Sequence, residues 1–306
     1  MGSGGLRHLV VAGGTGLVGR HLVQALAADG IRVTVLSRAP GTMALPPGAE
    51  ARSWDALPQA LDGADAVINL CGESIAAGRW SAARRRLLLD SRVGPTLRLV
   101  QALGALPAGP RVLVNAGAVG VYGALDDRPA DEATPPGHGF LPQLCRQWEA
   151  AAEGAAAHGA RVVQLRLGVV LARDRGALPR MALPVRWFLG AKLGHGRQGL
   201  SWIHVDDLVR LILAAAADAA WKGPVNATAP WPVSNEAFTR ALCRRLRRPL
   251  LPLPAPLTRA AIRLLLGQMG EELLLQGAFV LPRAAERLGF TFRYPRLEDA
   301  LSNLLP

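Results

Sequence analysis

His8-Leu9-Val10-Val11-Ala12-Gly13-Gly14-Thr15-Gly16-Leu17-Val18-Gly19 opens the patterned part of this 306-residue chain, and its reading decides the fold. His8–Ala12 is a short aliphatic run of the kind buried in a parallel sheet. Leu17–Ala28 then carries helical periodicity. Three glycines between and within them have distinct duties. Gly13 permits a tight turn, Gly16 lets backbone approach a pyrophosphate, and Gly19 lets the helix lie against the sheet. The helix start would present its free N–H groups and positive dipole end to the phosphates. Thr15, Leu17 and Val18 complete the predicted cradle. A glycine turn without a ligand is the plain alternative; a strand directly before and a helix directly after weigh against it.

Working outward, residues 32–36 (RVTVL) read as a second strand. Residues 66–70, 111–115 and 161–167 continue the series, with helical patterns at 81–103 and 141–158 between them. Strands alternating with helices predict an α/β fold: a doubly wound parallel-sheet Rossmann domain with right-handed crossovers. After Leu171 the pattern changes. A glycine-rich connector spans 190–202, followed by a helix at 205–217 and a short run at 224–227. A proline-punctuated connector at 249–256 precedes helical patterns at 257–266 and 271–276. The predicted organisation is a Rossmann domain of residues 1–172, to which 204–228 return. Residues 173–203 and 229–306 form a smaller, split C-terminal α/β lobe. Residues 1–5 are expected to be a disordered start.

The end of the second strand reads the cofactor's ribose. An NAD site places Asp or Glu there to hold the 2′-hydroxyl. This chain has Ser37-Arg38. A guanidinium matches a 2′-phosphate in charge and in bidentate geometry, so NADP(H) is predicted over NAD(H). An arginine stacked loosely on the adenine is the alternative.

Half of the residues are apolar and only 5% are aromatic, which predicts a core of Ala, Leu and Val. The formal charge of +12 comes almost wholly from arginine, since Lys192 and Lys222 are the only lysines. The arginines are scattered and little interleaved with aromatics, so no nucleic-acid partner is expected, and an anionic small ligand accounts for part of the charge. Cys71, Cys145 and Cys243 are too widely spaced for a disulfide framework or a zinc site, so no metal is expected and a reducing, cytoplasmic location is. No secretory or membrane-crossing run stands out, and no membrane partner is expected.

Taken together, Gly13–Gly19, Asn69-Leu70-Cys71-Gly72, Val121-Tyr122-Gly123 and Trp202-Ile203-His204-Val205-Asp206-Asp207 resemble the extended short-chain dehydrogenases, the group containing nucleotide-sugar epimerases. More narrowly, the chain is similar almost end to end to the atypical branch called "epimerase family protein". That likeness rests on Trp80 through Arg92, Arg166–Leu171, Gly199–Asp207 and the tail containing Gly289-Phe290-Thr291-Phe292-Arg293-Tyr294-Pro295. The resemblance implies cofactor contacts from Leu70, Cys71, Gly72, Arg92 and Leu167. It also implies a homodimer through a helix pair such as 81–103 and 141–158.

The usual mechanism of the group needs a Tyr acid/base, a Lys four residues later and an upstream Ser or Thr. Aligned on Glu149, these positions hold Leu141, Cys145 and Gly117 or Ala118. Three substitutes are expected. Tyr122 follows the relevant strand and could supply a hydroxyl; its alternative is a packed aromatic. Cys145 could act as a thiolate if a positive neighbour lowers its pKa, its alternative being an inert buried thiol. Glu73 is the best-placed carboxylate, or caps the helix that follows. His195, Gln198, Trp202 and His204 are candidates for a small-molecule substrate, with Asp206 as the cap of its helix; a structural His204 is the alternative. Trp148 and Trp187 are assigned to packing. Two functions stay open: an NADP(H)-dependent oxidoreductase or epimerase-like enzyme on a small sugar-like or carbonyl substrate, and a non-catalytic NADP(H) sensor or scaffold. A third reading is an interaction module that binds no nucleotide.

Overall fold

In the computed structural model, which describes residues 5–42, 44–106, 109–125 and 128–305, β1 (His8–Ala12) is an interior strand of the sheet. Side chains alternate along it, and both faces are covered. Leu9 and Val11 pack beneath helices α1 (Leu17–Ala28) and α6 (Val205–Ala217). Val10 and Ala12 face α2 (Leu57–Leu61) and α3 (Ala82–Ala105) on the other side. The remaining strands are β2 (Arg32–Ser37), β3 (Ala49–Ser53), β4 (Ala66–Asn69), β5 (Val112–Ala118), β6 (Arg161–Leu167) and β7 (Gly223–Ala227). All seven are parallel, in the order β3-β2-β1-β4-β5-β6-β7. The chain therefore leaves β1 in one direction and returns to its other side at β4. A crevice opens at that switch point, above the carboxyl ends of the strands. Most of the expected start, residues 1–4, lies outside the described residues.

β3 has no counterpart in the sequence reading. Its residues, Ala-Glu-Ala-Arg-Ser, include no β-branched or aromatic side chain, and all five are half-buried. It is a strand because backbone pairing to β2 along Val33–Ser37 supplies what propensity does not. The segment expected as a helix at 271–276 is a π-helical turn, Glu271–Leu275.

The smaller C-terminal lobe has its own core. Leu178, Ala182 and Val185 of α5 (Ala177–Arg186) meet Phe238 and Leu242 of α7 (Asn235–Arg245) and Leu301 of the helix Leu297–Leu304. The next helix is α8 (Ala255–Leu266). Asp207, fully buried on α6, ties the lobe down. Its carboxylate accepts from the Arg293 and Tyr294 amides, both at 2.8 Å, and from the Arg210 guanidinium at 2.9 Å. Asp207→Ala leaves two part-buried amides and a guanidinium without their acceptor. It is expected to cost about 3 kcal/mol, as breaking a buried charged network does. Thermal unfolding should then show a midpoint lower by about 6 °C or more; an unchanged midpoint would mean that water replaces the carboxylate without cost.

Candidate cofactor and substrate site

The turn after β1 can be built only from glycine. Gly13 has φ +82°, and a Cβ on it would come within 2.6 Å of the Leu70 carbonyl oxygen at the end of β4. A Cβ on Gly19 would overlap the Gly13 carbonyl, so α1 lies directly on the turn. Gly16 precedes α1 and has no side chain to cap it. The first amides of the helix are thus left for a ligand, the arrangement that binds phosphate.

Above this turn lies a cavity of about 500 Å³. Gly13, Gly16, Leu17, Val18 and Gly19 line it, as do Leu70, Cys71, Gly72, Arg92 and Leu167. Thr15, Ser37 and Arg38 do not. Thr15 is exposed on the turn, and the Ser37 hydroxyl accepts from the Ala39 amide. Arg38 is exposed at the end of β2, close enough for its charge to act on Cys71. Burial nevertheless pushes the Cys71 thiol up to about 12. These residues fit a dinucleotide: a glycine cradle for the pyrophosphate and a guanidinium beside the ribose end.

The three residues expected to do acid/base work are differently placed, and each reading is corrected. Tyr122 is fully buried and does not line the cavity. Its hydroxyl donates to Asn226 Oδ1 at 2.7 Å and accepts from Arg166 at 2.9 Å. Arg166 in turn forms a bidentate pair with Glu149 at 2.8 and 2.9 Å. Burial raises the Tyr122 pKa, partly opposed by Arg166. Cys145 does line the cavity, beside Arg92, but burial and the Glu149 charge push it up to about 12, so it is a neutral thiol. Glu73 lies outside the lining, and its carboxylate sits 3.9 Å from the Arg84 guanidinium.

None of the four substrate candidates lines the cavity. Trp202 is fully buried and donates to the Trp231 carbonyl. The Gln198 amide spans the Leu193 and Leu274 carbonyls. His204, not Asp206, caps α6: its Nδ1 accepts from the Asp206 amide and its Nε2 meets Asn303, while the ring stacks on Tyr294 at 3.9 Å. Burial lowers the His204 pKa against the opposing pull of Asp206. His195 is exposed, with Nδ1 accepting from the Arg197 amide. Trp148 packs as expected, whereas Trp187 is 73% exposed.

The cavity wall adds Leu144, which the sequence reading missed, and Trp148, which it assigned to packing alone. They stand with Leu141 and Cys145 on helix α4 (Phe140–Glu153), the four spaced i, i+3, i+4 and i+7 along one face. That spacing was a usable signal. Leu273 arrives from the π-helical turn, 131 residues from Pro142 in the chain, and no local pattern announces it. Among the described residues, Arg92 is the sole charged side chain in the lining. It lies over the Trp148 ring and donates to the Leu88 and Glu73 carbonyls. Beneath, a buried polar chain crosses the sheet. Asn69 donates to Thr96 and Asn115, Asn115 to Gln164, and Gln164 to the Glu149 carbonyl.

Comparison with known proteins agrees with this geometry. The family model of the NAD dependent epimerase/dehydratase family matches residues 9–227, and a domain of unknown function, DUF1731, matches 257–304. An epimerase family protein of Mycobacterium bovis is 44% identical over 295 residues, covering 96% of each chain. The chloroplastic epimerase family protein SDR39U1 homolog of Arabidopsis thaliana is 40% identical, covering 96% of this chain and 86% of that protein. Among solved structures, human epimerase family protein SDR39U1 (isoform 2) with NADPH superposes with a TM-score of 0.87 at 33% identity, covering 97% and 98% of the two chains.

Thiol titration tests the corrected roles. A thiol near 12 instead of its ordinary 9 holds about 1,000-fold less thiolate at pH 8. Alkylation of Cys71 and Cys145 in the native protein, followed by mass spectrometry, should be slower than in the unfolded chain by at least that factor. It should accelerate about tenfold per pH unit up to pH 11. Fast labelling of Cys145 at pH 7 would restore it as a nucleophile. Tyr122→Phe should lower stability by about 1–2 kcal/mol through the partners it strands, and leave dinucleotide affinity unchanged. A lost affinity would put its hydroxyl in the site.

Proposed function

The chain belongs to the NAD dependent epimerase/dehydratase family, and from that premise we propose that it binds NADP(H) in the cavity above β1 and β4 and acts as an oxidoreductase on a small conjugated carbonyl. The observation that carries this reading is the lining itself: a glycine cradle at one end, and Leu141 and Cys145 where the family's acid/base pair is expected. The first-turn amides of α1 would take the pyrophosphate. Arg38 would meet the 2′-phosphate, in keeping with the NADPH named for the human relative. When bound, NADP(H) supplies or accepts a hydride at its nicotinamide ring.

The chain's own residues limit what can receive it. A positioned general acid is worth about 10²–10⁴-fold, and no ionisable hydroxyl, carboxyl or imidazole lines the cavity among the described residues. Leu141, Leu144, Val119 and Leu273 exclude water and offer no partner to sugar hydroxyls. This narrows the expected substrate away from sugars. Arg92 favours an oxygen that gains negative charge, and its charge cannot be lost at working pH. An acceptor whose reduced oxygen is a weak base, as in quinones and enones, needs no proton from the protein. A non-catalytic NADP(H) sensor is the second reading, favoured by the burial of Tyr122 and the neutral Cys145 thiol.

Thermal shifts with NADPH, NADP⁺, NADH and NAD⁺ test the cofactor. At a ligand concentration of 100 Kd, the NADP pair should stabilise the protein by about 2.7 kcal/mol, a shift of several degrees. Arg38→Ala should weaken NADPH binding by roughly 10–100-fold, with NADH unaffected. Equal shifts from both pairs would refute the role of Arg38. NADPH oxidation with quinones and enones but not with simple ketones or nucleotide sugars is expected for the enzyme. No oxidation with any acceptor, despite a clear NADPH shift, would leave the sensor.

A further inference from the structure

The positive charge of the chain is not evenly spread. From Arg175 to Val205 there are five Lys or Arg and no Asp or Glu; from Ala237 to Gly270 there are seven arginines and, again, no acid. Together the two stretches carry as much charge as the whole chain's formal +12. They meet in the smaller lobe. The Leu251 amide donates to the Gly190 carbonyl at 2.7 Å, and Gly190 packs closely on Cys243.

Where they meet, large apolar side chains stand in solvent. Leu183 and Trp187 lie one turn apart at the end of α5, 56% and 73% exposed. Phe188 and Leu189, in the turn that follows, are 54% and 63% exposed. Backbone bonds from Phe188 to Val185 and from Leu189 to Pro184 hold the turn outward. Phe188 has φ +62° and Arg247 opposite has φ +54°; no other non-glycine residue described here adopts a positive φ. The Arg248 guanidinium sits 4.3 Å over the Phe188 ring. Each is the left-handed residue that closes a helix C-terminus, with the Leu189 amide on the Pro184 carbonyl and the Arg248 amide on the Cys243 carbonyl, and neither residue belongs to the cavity. Arg180 and Arg186 stand on the same helix as Leu183, Arg247 precedes the Arg248 that covers Phe188, and none of the four forms an ion pair among the described residues.

We propose that this tip, Leu183 with Trp187–Phe188–Leu189 and these arginines, docks on the surface of an anionic lipid bilayer. The chemistry fits at both levels. Exposed Trp, Phe and Leu partition into the boundary between headgroups and acyl chains, and arginines pair with anionic headgroups while their stems stay in the apolar layer. A nucleic acid would use the charge but gives no place to two leucines, a tryptophan and a phenylalanine projecting from a helix end. No helix among the described residues is long and apolar enough to cross a membrane, and the contact is peripheral. It revises the expectation of no membrane partner. The surface is assembled from stretches some sixty residues apart, so no run in the sequence displays it.

Sedimentation with sucrose-loaded vesicles tests this. The protein should bind vesicles of phosphatidylcholine with one quarter phosphatidylglycerol, and not phosphatidylcholine alone, with binding weakened by salt. Trp187→Ser with Leu189→Ser should weaken it at least tenfold. Arg186→Ser with Arg247→Gly should weaken it roughly 30-fold, at about fivefold per basic residue. All variants should keep the wild-type unfolding midpoint and NADPH shift. Vesicles should blue-shift tryptophan emission in wild type and not in Trp187→Phe. Equal binding to both vesicle types, no binding, or binding indifferent to the variants would overturn the proposal. So would RNA or duplex DNA binding, or self-association, that the same variants abolish in its place.

Discussion

The close approach of the Gly13 backbone to the Leu70 carbonyl is the constraint on which the site depends. It brings the ends of β1 and β4 together at the point where the chain reverses its direction of travel along the sheet. Gly19 then seats α1 on the turn and aims its uncapped start into the cavity. A single methylene at Gly13 or Gly19 would part strand, turn and helix at once, because each of the three serves as the wall for the other two.

What this constraint leaves open is chemistry. Beneath the cavity the buried polar groups partner one another, as in the chain from Thr96 through Asn69 and Asn115 to Gln164. Tyr122 and Arg166 belong to this structural economy: their bonds to Asn226 and Glu149 satisfy groups that cannot reach water. A hydroxyl so committed cannot also serve a substrate. The cavity is the opposite case, apolar around one guanidinium, and a charge in such surroundings acts at greater strength than it would in water.

Much of the fold was legible in the sequence because parallel strands buried on both faces need aliphatic runs, and β1, β4, β5 and β6 supply them. β3 was not, because an edge strand borrows its order from its neighbour. The cradle was legible for a related reason: only glycine solves that turn. The acid/base candidates were misjudged because sequence gives a residue's position along a strand and not the partner waiting beside it. Tyr122 lies 104 residues from Asn226. His204 was read toward a cleft, yet its cap bond and its stack on Tyr294 both turn it inward. Trp187 was assigned to packing by residue type, and its neighbours in space send it outward.

Leu273 closes the cavity from a segment that belongs to neither the sheet nor its crossover helices, and Glu272 beside it accepts from the Leu141 amide at the start of α4. A nascent chain that has already completed all seven strands therefore still has an open crevice. The wall arrives only after another forty-odd residues have left the ribosome. Until then Leu141, Leu144 and Trp148 face water, and the finished pocket exists only in a molecule whose tail has docked.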